Sequence, residues 1–326
     1  MAVEKNLSCV SRWLVSLLAA TTAALSLSCD ADAGSVGSTT ERAEGAPALR
    51  VVVTTGMIAD IVANVGAPHV AVDALMSEGT DPHFYRPSPG DIIKLAAKTT
   101  DIIFYNGLHL EGKMAAVLVD LGKRKRVVAV TDDIDRSRLR APPEFQNQYD
   151  PHVWFDVSLW IECVNSVRDV LIEGDSQHAV DYRQQAARYV DKLTKLHQQV
   201  KIDVGTIPES QRVLITAHDA FGYFGRAYGI KVLGVQGVST DSEAGVRRIE
   251  ELVDLIVTRK IKAVFVESSV SERNIRALVE GCAARGHAVN IGGQLFSDAM
   301  GKKGSLEGTY EGMVRHNVET IVNALR

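Results

Sequence analysis

The tripeptide Asp-Pro-His occurs twice in this chain, at residues 81–83 within TDPHFYRPSPGD and at residues 150–152 within YDPHVWFD. A neutral imidazole can ligate a metal, accept a proton or pass one on, and an Asp-Pro step biases the residue before the proline away from helix, so no helix continues through it. The repeat therefore singles out His83 and His152 among the nine histidines. His218 follows the apolar run RVLIT directly, in TAHDAFGYFG, and Asp298 lies just beyond another such run, in GGQLFSDAMG. All four fall near the carboxyl end of an expected strand or in the loop after it, where open α/β sheets bind their ligands. Three imidazoles and one carboxylate at a common point would make a nitrogen and oxygen site for a divalent transition metal. The four positions are too far apart for a local finger-like motif, so such a centre must be assembled from distant segments. Spacing alone does not choose between convergence and unrelated loop histidines.

The remaining histidines have plainer explanations. His178 and His197 belong to a long polar helix, His69 and His287 stand just before strands, and His316 lies in the last amphipathic segment. His109, in NGLHLEG, fits neither group. Cys163 and Cys282 are the only cysteines beyond the N-terminal region, too few for a disulfide framework, and both sit in apolar helical patterns as expected of buried thiols.

The elements that must position these residues follow a β/α rhythm. β-branched runs begin at Arg50, Val70, Asp101 and Arg126, and a second set lies in RVLITAHD, IKVLGVQG, IKAVFVES and HAVNIGG, with helical periodicity between them. Residues 176–204 contain no interior Gly or Pro and carry apolar residues at Tyr182, Ala186, Tyr189, Leu193, Leu196 and Val200, the spacing of one helix face. The expected fold class is α/β, with two β/α lobes, each a mostly parallel four-stranded sheet with flanking helices, linked by one long rigid helix. The expected boundaries are an N-terminal lobe over 50–175, the linking helix over 176–204 and a C-terminal lobe over 205–326.

The first fifty residues differ from the rest. Lys5 and Arg12 precede the apolar stretch Trp13–Leu27, the pattern of a secretory signal over residues 1–28 and short for a membrane span. LSLSC ending at Cys29 is an imperfect lipoprotein box, and the Ala-Asp-Ala at 31–33 offers ordinary cleavage after Ala33. Residues 29–49 read as a flexible tether. The expected location is periplasmic or extracytoplasmic, with a lipid on Cys29 and an uncleaved signal as the two anchoring routes. A net charge of -4 and a single short basic run, GKRKR at 122–126, give no footprint for nucleic acid.

From about Arg50 onward the chain resembles the metal-binding solute-binding proteins of ABC transporters, the cluster that includes TroA, PsaA and ZnuA. The residues that carry the resemblance are ITAHDAFGYFGRAYGIKVLGVQGVST, FVESSVSERNI and GGQLFSDAMGKKGSLEGTYEGMVRHN, and the pattern is nearest to that of TroA. In that family the two Asp-Pro-His loops, the HDAF loop and the FSDAM loop supply the metal ligands, which implies His83, His152, His218 and Asp298 here. The resemblance further implies a monomeric carrier that captures one divalent cation between its lobes and delivers it to a membrane permease driven by a cytoplasmic ATPase. The donor set suits Zn2+ and is compatible with Mn2+ or Fe2+. A third ligand of His rather than Glu tilts it toward zinc. No His-rich insertion separates the first two ligand loops, a departure from the zinc-dedicated branch. Glu267 and Asp219 are the expected partners for the far ring nitrogens of the ligands, whereas Asp81 and Asp150 read first as turn formers.

Two readings from other classes compete. One is an exported zinc hydrolase using Glu267 or Asp219 as general base; the other is a surface lipoprotein or adhesin with an idle metal site. Four protein ligands would close a tetrahedral zinc, whereas catalytic sites keep three and a water. HExxH, GxSxG and a Gly-rich phosphate loop are all missing from the sequence.

Overall fold

The computed structural model describes residues 49–145, 148–241 and 244–326. The signal stretch, the tether, Cys29 and the Ala33 cleavage position lie outside the described residues. Leu49–Val53 (LRVVV) forms β1, a strand with neighbours on both sides, and only Arg50 of its five residues is exposed. A parallel strand covered by helices on both faces needs apolar side chains on both, so the run does not alternate. Its sheet has the order β2-β1-β3-β4, with β2 at Val70–Ala74, β3 at Ile102–Tyr105 and β4 at Arg126–Ala129. Every pairing is parallel, and the register matches Leu49 to Val70, Val51 to Ile102 and Ile102 to Arg126. The intervening helices are α1 (Gly56–Gly66), α2 (Pro89–Ala96) and α3 (Ala115–Gly122), followed by α4 (Val157–Gly174).

The long helix is α5, Ala179–Gly205, entered through a 3-10 turn at Ser176–His178. Its 27 residues extend about 40 Å at 1.5 Å each. The stripe expected from the sequence is the buried one: Tyr182, Ala186, Tyr189, Leu193, Leu196 and Val200, continued by Val204. That face packs on α1 and α4 on one side, and on α6 (Gly222–Tyr228) and α9 (Tyr310–Leu325) on the other. Val53, Met57 and Ile61 from the first half, Leu193 and Leu196 from α5, and Met313 and Ile321 from α9 therefore share one continuous core. Burying each such side chain contributes roughly 1.5–3 kcal/mol. The helix is thus a common wall of both halves.

The second half continues with β5 (Val213–Thr216), β6 (Lys231–Gly234), α7 (Val246–Arg259), β7 (Ala263–Glu267), α8 (Arg273–Ala284) and β8 (Asn290–Leu295). All eight strands expected from the sequence are present. The expected four-stranded sheet of this half is instead two parallel pairs, β5-β6 and β7-β8, with β5 running beside β7 without a continuous ladder. The β7-β8 pair carries a register shift between Val264 and Val266. Such a shift bends a strand and breaks regular pairing. A separate core of Ile215, Ile256, Val264 and Leu278 lies between these strands and α7 and α8. Cys163 and Cys282 are buried free thiols.

Candidate metal centre

The first Asp-Pro-His unit sits in the loop between β2 and α2. Asp81 Oδ1 accepts the backbone N–H of His83 at 2.8 Å, a local turn that fixes the backbone of the histidine. The far end of the loop is held by the start of α2, where Ser88 and Asp91 form a reciprocal capping box with Pro89 in the first turn. The Tyr85 hydroxyl donates to Asp91 Oδ2 at 2.8 Å. The second unit begins the same way, with His152 N–H donating to Asp150 Oδ1 at 3.0 Å. A 3-10 turn at Val153–Phe155 follows, and Asp156 then caps α4 by accepting Ser158 N–H at 3.0 Å.

The second half presents its two residues from strand ends. His218 follows β5, and its carbonyl accepts the Thr216 hydroxyl at 2.7 Å. Glu267, the last residue of β7, receives the His218 backbone N–H at 2.9 Å and meets its Nδ1 at 2.6 Å. Gly234, at the end of β6, is required by close approach, since a Cβ there would lie 2.7 Å from the His218 carbonyl carbon. Asp298 follows β8, and its Oδ2 accepts the Ser269 hydroxyl at 3.3 Å. Trp154 Nε1, from the first half, donates to the neighbouring Ser297 carbonyl at 3.0 Å.

His83, His152, His218 and Asp298 each offer one donor atom, and those atoms all lie within 4.8 Å of one another. Their residues are 4%, 0%, 0% and 2% exposed, so water does not dilute whatever charge collects there. His152 Nε2 lies 3.3 Å from His83 Nε2 and 3.3 Å from Asp298 Oδ1, while Asp298 Oδ2 lies 3.3 Å from His218 Nε2. Yet His218 Nε2 and Asp298 Oδ1 are buried without an aligned hydrogen-bond partner among the described residues. Two orphaned polar atoms in one dry spot are costly, and a cation between them offsets that cost for both.

The second ring nitrogens show how this is arranged. Asp150 Oδ1 meets His152 Nδ1 at 2.7 Å, and Glu267 takes His218 Nδ1, which turns both Nε2 atoms to the centre. Burial opposes charge on His152, but the adjacent Asp150 and Asp298 carboxylates lift it to about 9. Burial likewise opposes charge on His218, and the Glu267 and Asp298 carboxylates hold it well above the ordinary imidazole range. Burial alone would raise Asp298, but His218 and His152 keep it well below the usual carboxylate range. His83 goes the other way, lowered to about 3 chiefly by burial. The carboxylates therefore favour the protonated forms of His152 and His218, and a cation held by the four donors would compete with those protons.

Of the two residues expected to support the candidate ligands, Glu267 contacts the His218 ring directly. No hydrogen bond among the described residues reaches the Asp219 carboxylate, which burial and the Asp150 charge raise above its ordinary value. Asp150, expected as a turn former, does that and also holds His152. Five other histidines bond elsewhere: His178 to Asp175 at 2.6 Å, His197 to Tyr228 at 3.0 Å, His69 to Asp181 at 2.8 Å, His287 to the Ile261 carbonyl and His316 to the Gln294 carbonyl, both at 3.0 Å. His109 is exposed, with a left-handed backbone at φ 65°. Sequence reasoning did not find Arg140, Trp154, Tyr223, Thr240 or Ser269. They act through contacts between distant segments, and no local spacing marks them.

The family described as zinc-uptake complex component A, periplasmic (ZnuA) matches residues 51–324. The manganese-binding lipoprotein MntA of Bacillus subtilis (strain 168) is 50% identical over 278 residues, 85% of this chain and 90% of that protein. The zinc-binding protein TroA of Treponema pallidum (strain Nichols) is 47% identical over 289 residues, 89% of this chain and 92% of that protein. The solved structure of that periplasmic zinc-binding protein superposes with a TM-score of 0.82, covering 85% of this chain and 99% of its own. The metal ABC transporter substrate-binding lipoprotein SloC of Streptococcus mutans serotype c is 31% identical over 283 residues, 85% of this chain and 90% of that protein.

Proposed function

Because this chain belongs to the ZnuA family of periplasmic zinc-uptake components, we propose that it captures one divalent transition-metal ion with His83, His152, His218 and Asp298 and delivers it to an ABC permease. It is a binding component of a transporter, as its relatives are named, and not an enzyme. The observation that carries the reading is the buried quartet of donor atoms, two of which have no aligned partner of their own.

Zinc and manganese are both within reach of this donor set. Three imidazoles with one carboxylate oxygen meet the four-coordinate preference of Zn2+. Asp298 also turns one oxygen toward each of two imidazoles, which leaves room for a second carboxylate contact and the higher coordination that Mn2+ accepts. The two most identical relatives described above are named for different metals, one for manganese and one for zinc. Intrinsic affinity runs toward zinc at most nitrogen and oxygen sites, so the cargo in the cell depends on which metal is available. With zinc, four protein ligands would complete the tetrahedron and leave no position for a reactive water, which speaks against the zinc-hydrolase reading.

The protein works outside the cytoplasm, and no helix among the described residues is long and apolar enough to cross a membrane. Anchoring through a lipid on Cys29 belongs to this proposal, as do a monomeric state and indifference to nucleic acid. The division into lobes at 50–175 and 205–326 is likewise part of it, supported by the position of α5 between the two sets of strands.

Elemental analysis of protein purified from its native compartment tests the reading, run beside a competition titration of Zn2+ against Mn2+. The expected result is near-unit occupancy that is abolished by His218→Ala. A protein that stays metal-free when offered either ion, with its thermal stability unmoved, overturns it.

A further inference from the structure

Arg140 and Asp150, ten positions apart and the two ends of one segment, are joined directly. Asp150 N–H donates to the Arg140 carbonyl at 2.8 Å, and the Arg140 guanidinium binds Asp150 Oδ2. That leaves Asp150 Oδ1 turned toward His152. Both ends of the segment are then tied by a residue of the second half: Arg140 N–H donates to the Tyr223 hydroxyl at 3.0 Å, and that hydroxyl donates to the Asp150 carbonyl at 2.9 Å. The guanidinium also lies 5.8 Å from the centre of the Tyr223 ring. Tyr223 is fully buried in α6, the helix that follows the His218 loop. Beside it, Gly222 has no side chain where one would be needed to block Arg140: a Cβ there would land on the guanidinium.

The geometry points to Arg140 and Tyr223 as positioning residues for the metal ligand His152, a pin that sets its imidazole from the opposite half of the molecule. This rests on the metal-binding reading above. Arg140 occupies one oxygen of Asp150, so the carboxylate can present only the other to His152, and the ring plane is fixed. Tyr223 joins that assembly to the helix behind His218, so that ligands from the two halves keep one register. A rigid shell of this kind slows ion loss, because departure of the ion requires an imidazole to swing away and the pin opposes the swing.

Three variants reach the pin by different routes: Tyr223→Phe deletes only the hydroxyl, Arg140→Gln deletes the charge and the fork, and Gly222→Ala displaces the guanidinium while leaving Arg140 in place. The measurements are the Zn2+ dissociation rate in the presence of a chelator, and the visible absorption spectrum of the Co2+-loaded protein, which reports the ligand set. Loss of outer-shell support typically costs about 10–100-fold in metal affinity. Each variant is expected to release Zn2+ about 10–100-fold faster and to alter the Co2+ spectrum, with Arg140→Lys recovering part of the loss. Arg140→Gln combined with Gly222→Ala is expected to do no more than either alone, because both act through the same contact. A merely structural role would lower the unfolding temperature of the ion-free protein without moving the rate or the spectrum. Parental release and parental spectra in folded Tyr223→Phe and Gly222→Ala protein would overturn the inference. A parent protein that binds neither ion would overturn the metal-binding reading instead.

Discussion

The two Asp-Pro-His loops have the same tripeptide and the same first hydrogen bond, and they are wired into the molecule in opposite ways. In both, the aspartate accepts the backbone N–H of its own histidine. Beyond that, Asp150 is fully buried, holds the His152 ring with one oxygen and Arg140 with the other. Asp81 leaves its histidine ring alone and uses its second oxygen to accept the Thr240 hydroxyl of the second half at 2.7 Å. One copy builds a charged chain behind a ligand; the other latches a loop across to the opposite half. The consequence is electrostatic: His152 is lifted to about 9 and His83 is lowered to about 3. A repeated motif thus specifies the local turn, while whatever packs behind it specifies the chemistry.

A matched pair of substitutions breaks the comparison most directly. Asn at position 150 offers one acceptor oxygen and so cannot serve both Arg140 and the His152 Nδ1–H as the two carboxylate oxygens do, and Asp150→Asn is expected to weaken metal binding about 10–100-fold. Asn at position 81 keeps an oxygen for the His83 N–H, and the Thr240 hydroxyl can reverse to accept from the new amide. Asp81→Asn is therefore expected to stay within about fivefold of the parent, since hydrogen bonds near 1 kcal/mol are exchanged and not lost. Chelator-competition titrations of the two variants side by side decide the matter, and equal losses would mean the two aspartates do the same work.

The pH dependence sharpens the same contrast with a smaller effect near neutrality. His152, raised to about 9, carries a proton at pH 7 in the ion-free centre, whereas His83, lowered to about 3, does not. Binding at pH 7 is then expected to release at least one proton, with affinity rising as pH rises toward about 9 and falling about tenfold per pH unit for each proton displaced below that. Titration calorimetry in buffers of different ionisation enthalpy counts these protons. His83→Ala is expected to lose affinity but to leave the proton count unchanged, and a count of zero in the parent at pH 7 would contradict the assignment.

The smallest expected effect lies in the latch. Thr240→Val removes one partly buried hydrogen bond to Asp81, worth about 1 kcal/mol. It should speed ion release by less than tenfold while leaving the proton count at its parental value. Stopped-flow chelation measures this, and a change larger than that of Asp150→Asn would reverse the ranking of the two loops.

Much of this centre was legible before folding was considered, and the reason is specific. His83 and His152 announce themselves through a repeated unit, and His218 and Asp298 stand at the ends of apolar runs that became β5 and β8. The buried stripe of α5 followed from residues spaced on one helix face. The division of the second half into the pairs β5-β6 and β7-β8 was not legible, because which strands pair is settled between segments far apart in the chain and no local propensity encodes it. Arg140 and Tyr223 were hidden for a similar reason. Each is an ordinary polar or aromatic residue in its own segment, and its role exists only once folding has brought together two residues 83 positions apart.

The α/β rhythm and the long helix could be read from the chain alone, because periodicity acts over a few residues, while the four candidate ligands were named by the resemblance of long motif strings to a family of metal carriers. Only the tertiary structure decided which aspartate grips a histidine ring, which imidazole is neutral and how the two halves are pinned together. Those properties depend on burial and on the charges within a few ångströms, and both are set by segments far apart in the chain.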